Sequence, residues 1–374
     1  MIRFNYNLIL LLLVLPLLSV AKDGDFTKNI HKEYDVPVNA TIELINKYGY
    51  VKVHAWDKRI ASIDVNILAN TTSQERANEI FDKINVNFTT TSNYIKAETT
   101  IASTNGKNSW WDWKSWIGWN DNKSSYKINY DVYIPVDLYL KLNLKYGDAF
   151  VDKLERDATL KISYGHIRLD ELAANLDLDL AYGDGNMGDI KDGKIRLRYS
   201  KISMSDMQNG NLDFRYSDIK MKNGGNIKAE SAYGELNAEK ISTIDISSKY
   251  DDIQISSIDE IYASSGYSDF DLGKINKRSS FTSSYGDIII RDIDPSFTNV
   301  DLKTSYTDIR INSHGNSYKL DASGNYADIK TTSDFNSTYL IDKSNSKSVK
   351  GYSKSENSGG LIRATLSYGS LRID

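Results

Sequence analysis

The sequence predicts an all-β fold, a single-stranded β-solenoid with coils of 17–18 residues, preceded by an N-terminal capping region with one short helix. Three observations predict it. First, a tyrosine corner recurs, as in "KYGDAFV", "SYGHIRL", "RYSDIKM" and "SSYGDIII", with steps of 18, 18, 17, 17, 17, 17, 17 and 18 residues between Tyr146 and Tyr285. Self-similarity at a short fixed period is the mark of a stacked repeat architecture. Second, the residue four before each tyrosine is apolar (Leu142, Leu160, Leu178, Ile195, Leu212) and its successor polar (Asn143, Lys161, Asp179, Arg196, Asp213), the alternation of a strand with one buried face. Third, the apolar positions after the tyrosine fall at odd offsets (Ile167 and Leu169, Ile253 and Ile255, Ile288 and Ile290), so the phase slips by one residue and the chain must bend or bulge there.

Each element follows from this pattern. The tyrosine continues the buried phase of the strand before it, so the column Tyr146, Tyr164, Tyr182, Tyr216, Tyr233, Tyr250, Tyr267, Tyr285, Tyr306 and Tyr326, with Tyr199 and Tyr368 in the same register, is expected to face inward as a structural corner ladder. The glycines that follow it, such as Gly147, Gly165 and Gly286, are expected to supply the unusual backbone angles of the corner. A further apolar residue eight after the tyrosine (Leu154, Leu172, Ile190, Met207, Ile241) completes the inner face, giving two or three short strands per coil. Such a unit cannot bury its apolar face alone; twelve of them stacked at the strand spacing make a rod of about 55–60 Å. An antiparallel sandwich of hairpins is the competing fold, but it does not explain one corner at a constant interval.

The flanks depart from the repeat. Residues 1–21 have a charged start, an apolar stretch from Leu8 to Leu18 and the small-residue end Ser19-Val20-Ala21, predicting a secretory signal cleaved after Ala21. Residues 22–140 form the capping region, with a helix over Ser73–Ile84 started by Ser73 and strands near Ile63–Leu68 and Asn85–Thr91. The solenoid spans 141–374, and "SNSKSVKGYSKSENSGG" predicts a polar loop near 344–360.

Composition narrows the function. The 374 residues carry a net charge of −4, which disfavours a nucleic-acid partner, and no cysteine, so neither disulfides nor a lipid-modified cysteine are available. No apolar run after the signal is long enough for a transmembrane helix. No cofactor or metal is expected. His31, His54, His166 and His314 are scattered without metal-ligand spacing, and no nucleophile elbow, phosphate loop or zinc motif occurs. An acid column two residues after the tyrosine (Asp148, Asp184, Asp218, Glu235, Asp252, Asp269) could suggest a calcium ladder, but the glycine-rich calcium repeats are missing; each acid is expected to accept backbone N–H groups of its own corner. "SWWDWKSWIGW" concentrates Trp110, Trp111, Trp113, Trp116 and Trp119, a candidate ligand-binding patch or a plug for the solenoid end.

The passages "NKYGYVKVHAWDKRIASIDVNI", "YKINYDVYIPVDLYLKLNLKYGDAFV" and "GGLIRATLSYGSLRID" resemble the putative adhesin family of exported bacterial proteins, whose adhesin-like β-helix is a domain of unknown function. The resemblance implies a β-solenoid in the envelope of a Gram-negative bacterium, periplasmic or on the outer surface. It brings no catalytic residues. The expected function is a non-enzymatic adhesin-like or scaffold protein, its partner unknown but of glycan or protein type. The alternative is a polysaccharide-binding or polysaccharide-degrading β-helix enzyme.

Overall fold

The computed structural model describes residues 24–102, 125–357 and 359–374. The secretory signal expected at residues 1–21 and the tryptophans expected as a ligand patch, Trp110, Trp111, Trp113, Trp116 and Trp119, lie outside them. The chain begins with β1 (Gly24–Asp35), β2 (Thr41–Lys47), β3 (Val51–Trp56), β4 (Ile60–Thr71), α1 (Gln74–Lys83), β5 (Ile84–Thr91), β6 (Tyr94–Ile101) and β7 (Ser125–Pro135). The rod continues through β8 (Tyr139–Lys145), β9 (Ala149–Val151), β10 (Ala158–Ser163), β11 (His166–Ala181), β12 (Asp184–Arg198), β13 (Lys201–Arg215), β14 (Asp218–Ala232), β15 (Glu235–Lys249), β16 (Asp252–Gly266) and β17 (Asp269–Ile293). It ends with β18 (Asn299–Ile311), β19 (Tyr318–Lys330), β20 (Phe335–Lys343), β21 (Ser346–Ser353) and β22 (Gly360–Ile373).

The molecule is a β-solenoid. Successive coils pair parallel and in register, so that Leu160 lies opposite Leu178, Ile195 opposite Leu212 and Ile246 opposite Ala263. The column four before the tyrosine is buried throughout, and the column eight after it is buried from Leu154 to Ile293 and gives way to exposed His314 and Asp334 in the last coils. Together they form one continuous core along the rod. Instead of two or three short strands, β12 to β16 are each fifteen residues long and broken only at the tyrosine step.

Both ends interrupt the order of the chain. β2 and β3 pair parallel with β8 and β9, so Tyr48 belongs to the first coil and the boundary expected near residue 140 does not separate cap from rod. The segment between them is an insertion that covers this coil: β6 lies beside β2, and β7 runs parallel to β3 and antiparallel to β4. Within it α1 starts where Ser73 Oγ accepts the Arg76 N–H, with Ala77 and Phe81 buried.

At the other end β22 lies between β18 and β19, parallel to both, so the last strand in sequence is the penultimate coil in space. The polar loop expected near 344–360 is largely β21, which pairs antiparallel with β19 and with β20 and closes the stack. β20 is exposed along most of its length and β21 buries only Val349 and Ser353, so their sequence lacks the alternation that marks the other coils.

Candidate contact surface

The tyrosine column faces outward. Thirteen tyrosines, Tyr48 and the twelve from Tyr146 to Tyr368, adopt φ of 50–61°, the left-handed region that residues with a side chain rarely enter. A single left-handed residue produces the one-residue phase slip: the residue two before it points in, the tyrosine points out, and the residue after it points in. The inward ladder expected from strand phase is thereby overturned, because extending the alternation through the tyrosine assumed an extended backbone there. The glycine reading is corrected with it, since among the corner glycines only Gly286 has positive φ.

The residue after the tyrosine is small for a different reason. A Cβ on Gly165 would sit 1.8 Å from the Gly147 carbonyl oxygen, and one on Gly147 would sit 1.7 Å from that of Gly49, so stacked corners approach backbone to backbone. Where this position is not glycine it holds a small residue, Ala327 after Tyr326 and otherwise a short polar one (Ser200, Ser217, Asp251, Ser268, Thr307), several of which serve the neighbouring coil. Ser200 N–H donates to Ser217 Oγ at 3.0 Å, Asp251 N–H to Ser268 Oγ at 3.1 Å and Gly234 N–H to Asp251 Oδ1 at 2.8 Å. The buried Asp251 carboxylate also accepts the Ser231 and Ser248 hydroxyls and the Lys249 N–H, so its charge is met by four donors.

Above this buried row the phenol rings form one stack. Neighbouring centroids are 4.6–5.3 Å apart with interplanar angles of 2–18°, running from Tyr48 through Tyr306 to Tyr368 and Tyr326. Tyr126 meets Tyr48 edge-on at 75° and closes that end, while Tyr326 ends the other. From Tyr146 onward the tyrosines are 38–59% exposed. Each ring covers its neighbour's faces, so what the rod presents is a ridge of ring edges and hydroxyls. Among the described residues no ladder hydroxyl donates to a protein acceptor. Face-on stacking against a sugar, the usual use of exposed aromatic rings, is sterically available only at the Tyr326 end.

Charge is arranged along both flanks of the ridge. Lys145, Arg198, Arg215 and Lys249 precede their tyrosines, and the Lys145 and Lys249 ammonium groups lie 5.0 and 5.7 Å from the Tyr146 and Tyr250 ring centroids. On the other flank the acid column is outward, as its phase requires. Its hydrogen bonds come from neighbouring coils and not, as expected, from its own corner: His166 N–H donates to Asp148 Oδ1 at 2.9 Å and Asp287 N–H to Asp269 Oδ1 at 2.7 Å. Asp184 pairs with His166 and Asp218 with Lys201, but Glu235, Asp252, Asp269, Asp287 and Asp308 lie on consecutive coils with no ion pair among the described residues. Burial, then Asp269, then Asp308 push the Asp287 carboxyl up.

A second row escaped the sequence reading. Asp157, Asn175, Asp192, Asn209 and Asn226, seven residues before their tyrosines, line a groove of about 600 Å³ over residues such as Gly193 and Gly210. Asn209 Nδ2 donates to Asp192 Oδ1 and Asn175 Nδ2 to Asp157 Oδ1, so the row ties coils together. Its signal was the same period at another offset.

The histidines stay apart: His31 pairs with Asp64, His54 with Asp152 and His166 with Asp184, while His314 meets the Arg291 carbonyl. Among the described residues no three histidine or carboxylate side chains converge as a metal site. No described helix is long and apolar enough to cross a membrane. The class defined by fold and surface is a β-solenoid with an exposed tyrosine ridge.

No protein-family model matches the chain, and no curated protein matches it. Among solved structures it is similar to a "putative cell adhesion protein" from Clostridium sporogenes, at 10% identity over 93% of this chain and 99% of that one, with a TM-score of 0.22. It is likewise similar to a "putative adhesin" from Bacteroides fragilis, at 16% identity over 70% of this chain and 96% of that one (TM-score 0.33). A "Putative lipid binding protein" from Parabacteroides distasonis shares 11% identity over 92% and 96% of the two chains (TM-score 0.27).

Proposed function

We infer that the protein is an exported, non-enzymatic rod of the cell envelope, adhesin-like or scaffolding in role, whose tyrosine ridge is the contact face. The observation that carries this reading is the ridge itself. Holding an L-residue left-handed costs about 1–2 kcal/mol, which asparagine or glycine would largely avoid, and ring stacking returns about 0.5–1.5 kcal/mol per pair. The two terms nearly offset each other, so stability alone does not select tyrosine. Phenylalanine would stack as well, yet every ladder position keeps the hydroxyl. Strained residues kept at solvent point to a surface in use, and so does a contiguous aromatic strip longer than single exposed side chains explain.

The test is a triple substitution, Tyr216→Asn, Tyr233→Asn and Tyr250→Asn, asparagine being the side chain best suited to left-handed φ. Circular dichroism should be unchanged while binding of the purified protein to envelope preparations or intact cells falls at least about tenfold, as loss of central contact residues does. Undiminished binding by a folded triple variant would sink the reading.

A further inference from the structure

We propose that the partner of the tyrosine ridge is a second copy of this chain, docked ridge to ridge with the two rods parallel. The proposal rests on the reading of the ridge as a contact face and names what meets it.

Three properties of the ridge point to self-association. The first is area. At about 200 Å² per tyrosine side chain, the exposures of the twelve rings from Tyr146 onward sum to on the order of 1,100 Å², above the ~800 Å² per partner that a stable interface buries. The second is period. The ring edges repeat every 4.6–5.3 Å over the whole rod, a spacing set by the β-rungs beneath. A surface that stays in step over so many repeats must be built on the same rungs, and the ridge of another copy is one. The third is chemistry. A phenol hydroxyl both donates and accepts, so a row of them is complementary to itself.

The charges select the orientation. A two-fold axis along the rods places the flank preceding the tyrosines of one copy against the flank following those of the other. Lys145 then faces the partner's Asp148, Arg215 the partner's Asp218 and Lys249 the partner's Asp252, with Arg198 opposite the partner's Lys201 the one like-charged match in the basic column. An axis across the rods instead sets like flanks together, with the middle of the acid column, Asp218, Glu235 and Asp252, against its own counterpart. The isologous parallel pairing is therefore the electrostatically complementary one.

The absence of native cysteine makes the test clean. Single variants Tyr164→Cys and Tyr306→Cys, near opposite ends of the ridge, and Asn209→Cys in the groove away from it are treated with a flexible bis-maleimide in the full-length purified protein. Each ridge variant should form a covalent dimer by itself and the groove variant should not. Dimer that forms only when the Tyr164 and Tyr306 variants are mixed would overturn the parallel arrangement, and cross-linking no faster than in the groove variant would overturn the ridge interface. Sedimentation of the unmodified protein reads the same equilibrium without substitution: a concentration-dependent dimer supports the proposal, and a monomer throughout the micromolar range refutes it. A monomer that still binds envelope preparations through the ridge would leave the contact-face reading intact, so the two failures are distinguishable.

Discussion

Tyrosine and glycine have exchanged the roles that local propensity assigns them. The tyrosine takes the left-handed backbone, and the glycine after it is required by contact with the coil below, where 1.8 Å separates a Gly165 Cβ from the Gly147 oxygen. Gly165→Ala should therefore cost about 3 kcal/mol or more, among the large effects of single substitutions, because backbone on both coils must move. Gly266 has nothing within 4 Å of its added Cβ, and Gly266→Ala should be neutral or slightly stabilising. Denaturant titration of both variants checks the pair, and equal destabilisation would refute this account of the corner. The sequence displayed the phase slip plainly. It did not display which residue absorbs it, because a lone Tyr-Gly step assigns positive φ to glycine by every steric expectation. Only the stack above and the carbonyl below reverse that assignment.

At the level of the coil, the acid column shows an element built at some electrostatic expense. Asp287 stands between Asp269 and Asp308, and burial, then those two neighbours, raise its carboxyl above its ordinary value. A carboxyl raised in the fold favours folding while protonated. That contribution is present below the unfolded value of about 3.9 and is lost as pH rises through the higher folded value. Asp287→Asn should thus stabilise the protein at pH 7 by up to ~1 kcal/mol, the repulsion of one exposed neighbour at rung spacing, and the gain should vanish near pH 3 and shrink in high salt. Thermal melts at the two pH values decide it; a gain that persists in acid would mean that charge is not its source. Elements with a buried face were the legible ones. The core columns and α1, with its Ser73 cap, follow from apolar period and capping chemistry. The β20–β21 hairpin was not legible, because β20 is largely exposed and β21 offers a single buried apolar residue, Val349, so neither shows an apolar period.

For the whole molecule, the decisive departure from a simple stack is the position of β22. In a solenoid whose coils contact only their neighbours, removing the last segment costs one terminal interface and leaves the rest standing. Here the last strand lies between β18 and β19, carrying Ile362, Ala364, Leu366, Leu371 and Ile373 into the core and Tyr368 into the ridge between Tyr306 and Tyr326. The backbone of Ser313 and its hydroxyl donate to the Asp374 carbonyl at 2.8 and 2.9 Å, holding the strand's end in place. The slot between β18 and β19 cannot be filled until the chain has passed through β19 and the hairpin, so β22 joins the stack after the coils on both sides of it. Deleting residues 360–374 should accordingly remove two interfaces at once and leave two parallel edges unpaired, which invites aggregation. The truncated chain is expected to lose the cooperativity of its C-terminal coils, seen as a separate early transition in calorimetry and fast amide exchange confined to β18–β21. A synthetic peptide of residues 360–374 should restore protection there, since the slot specifies the strand by register and core fit. If truncation merely trimmed the melting temperature without a separate transition, β22 would be an ordinary terminal coil in energetic terms despite its place in the stack.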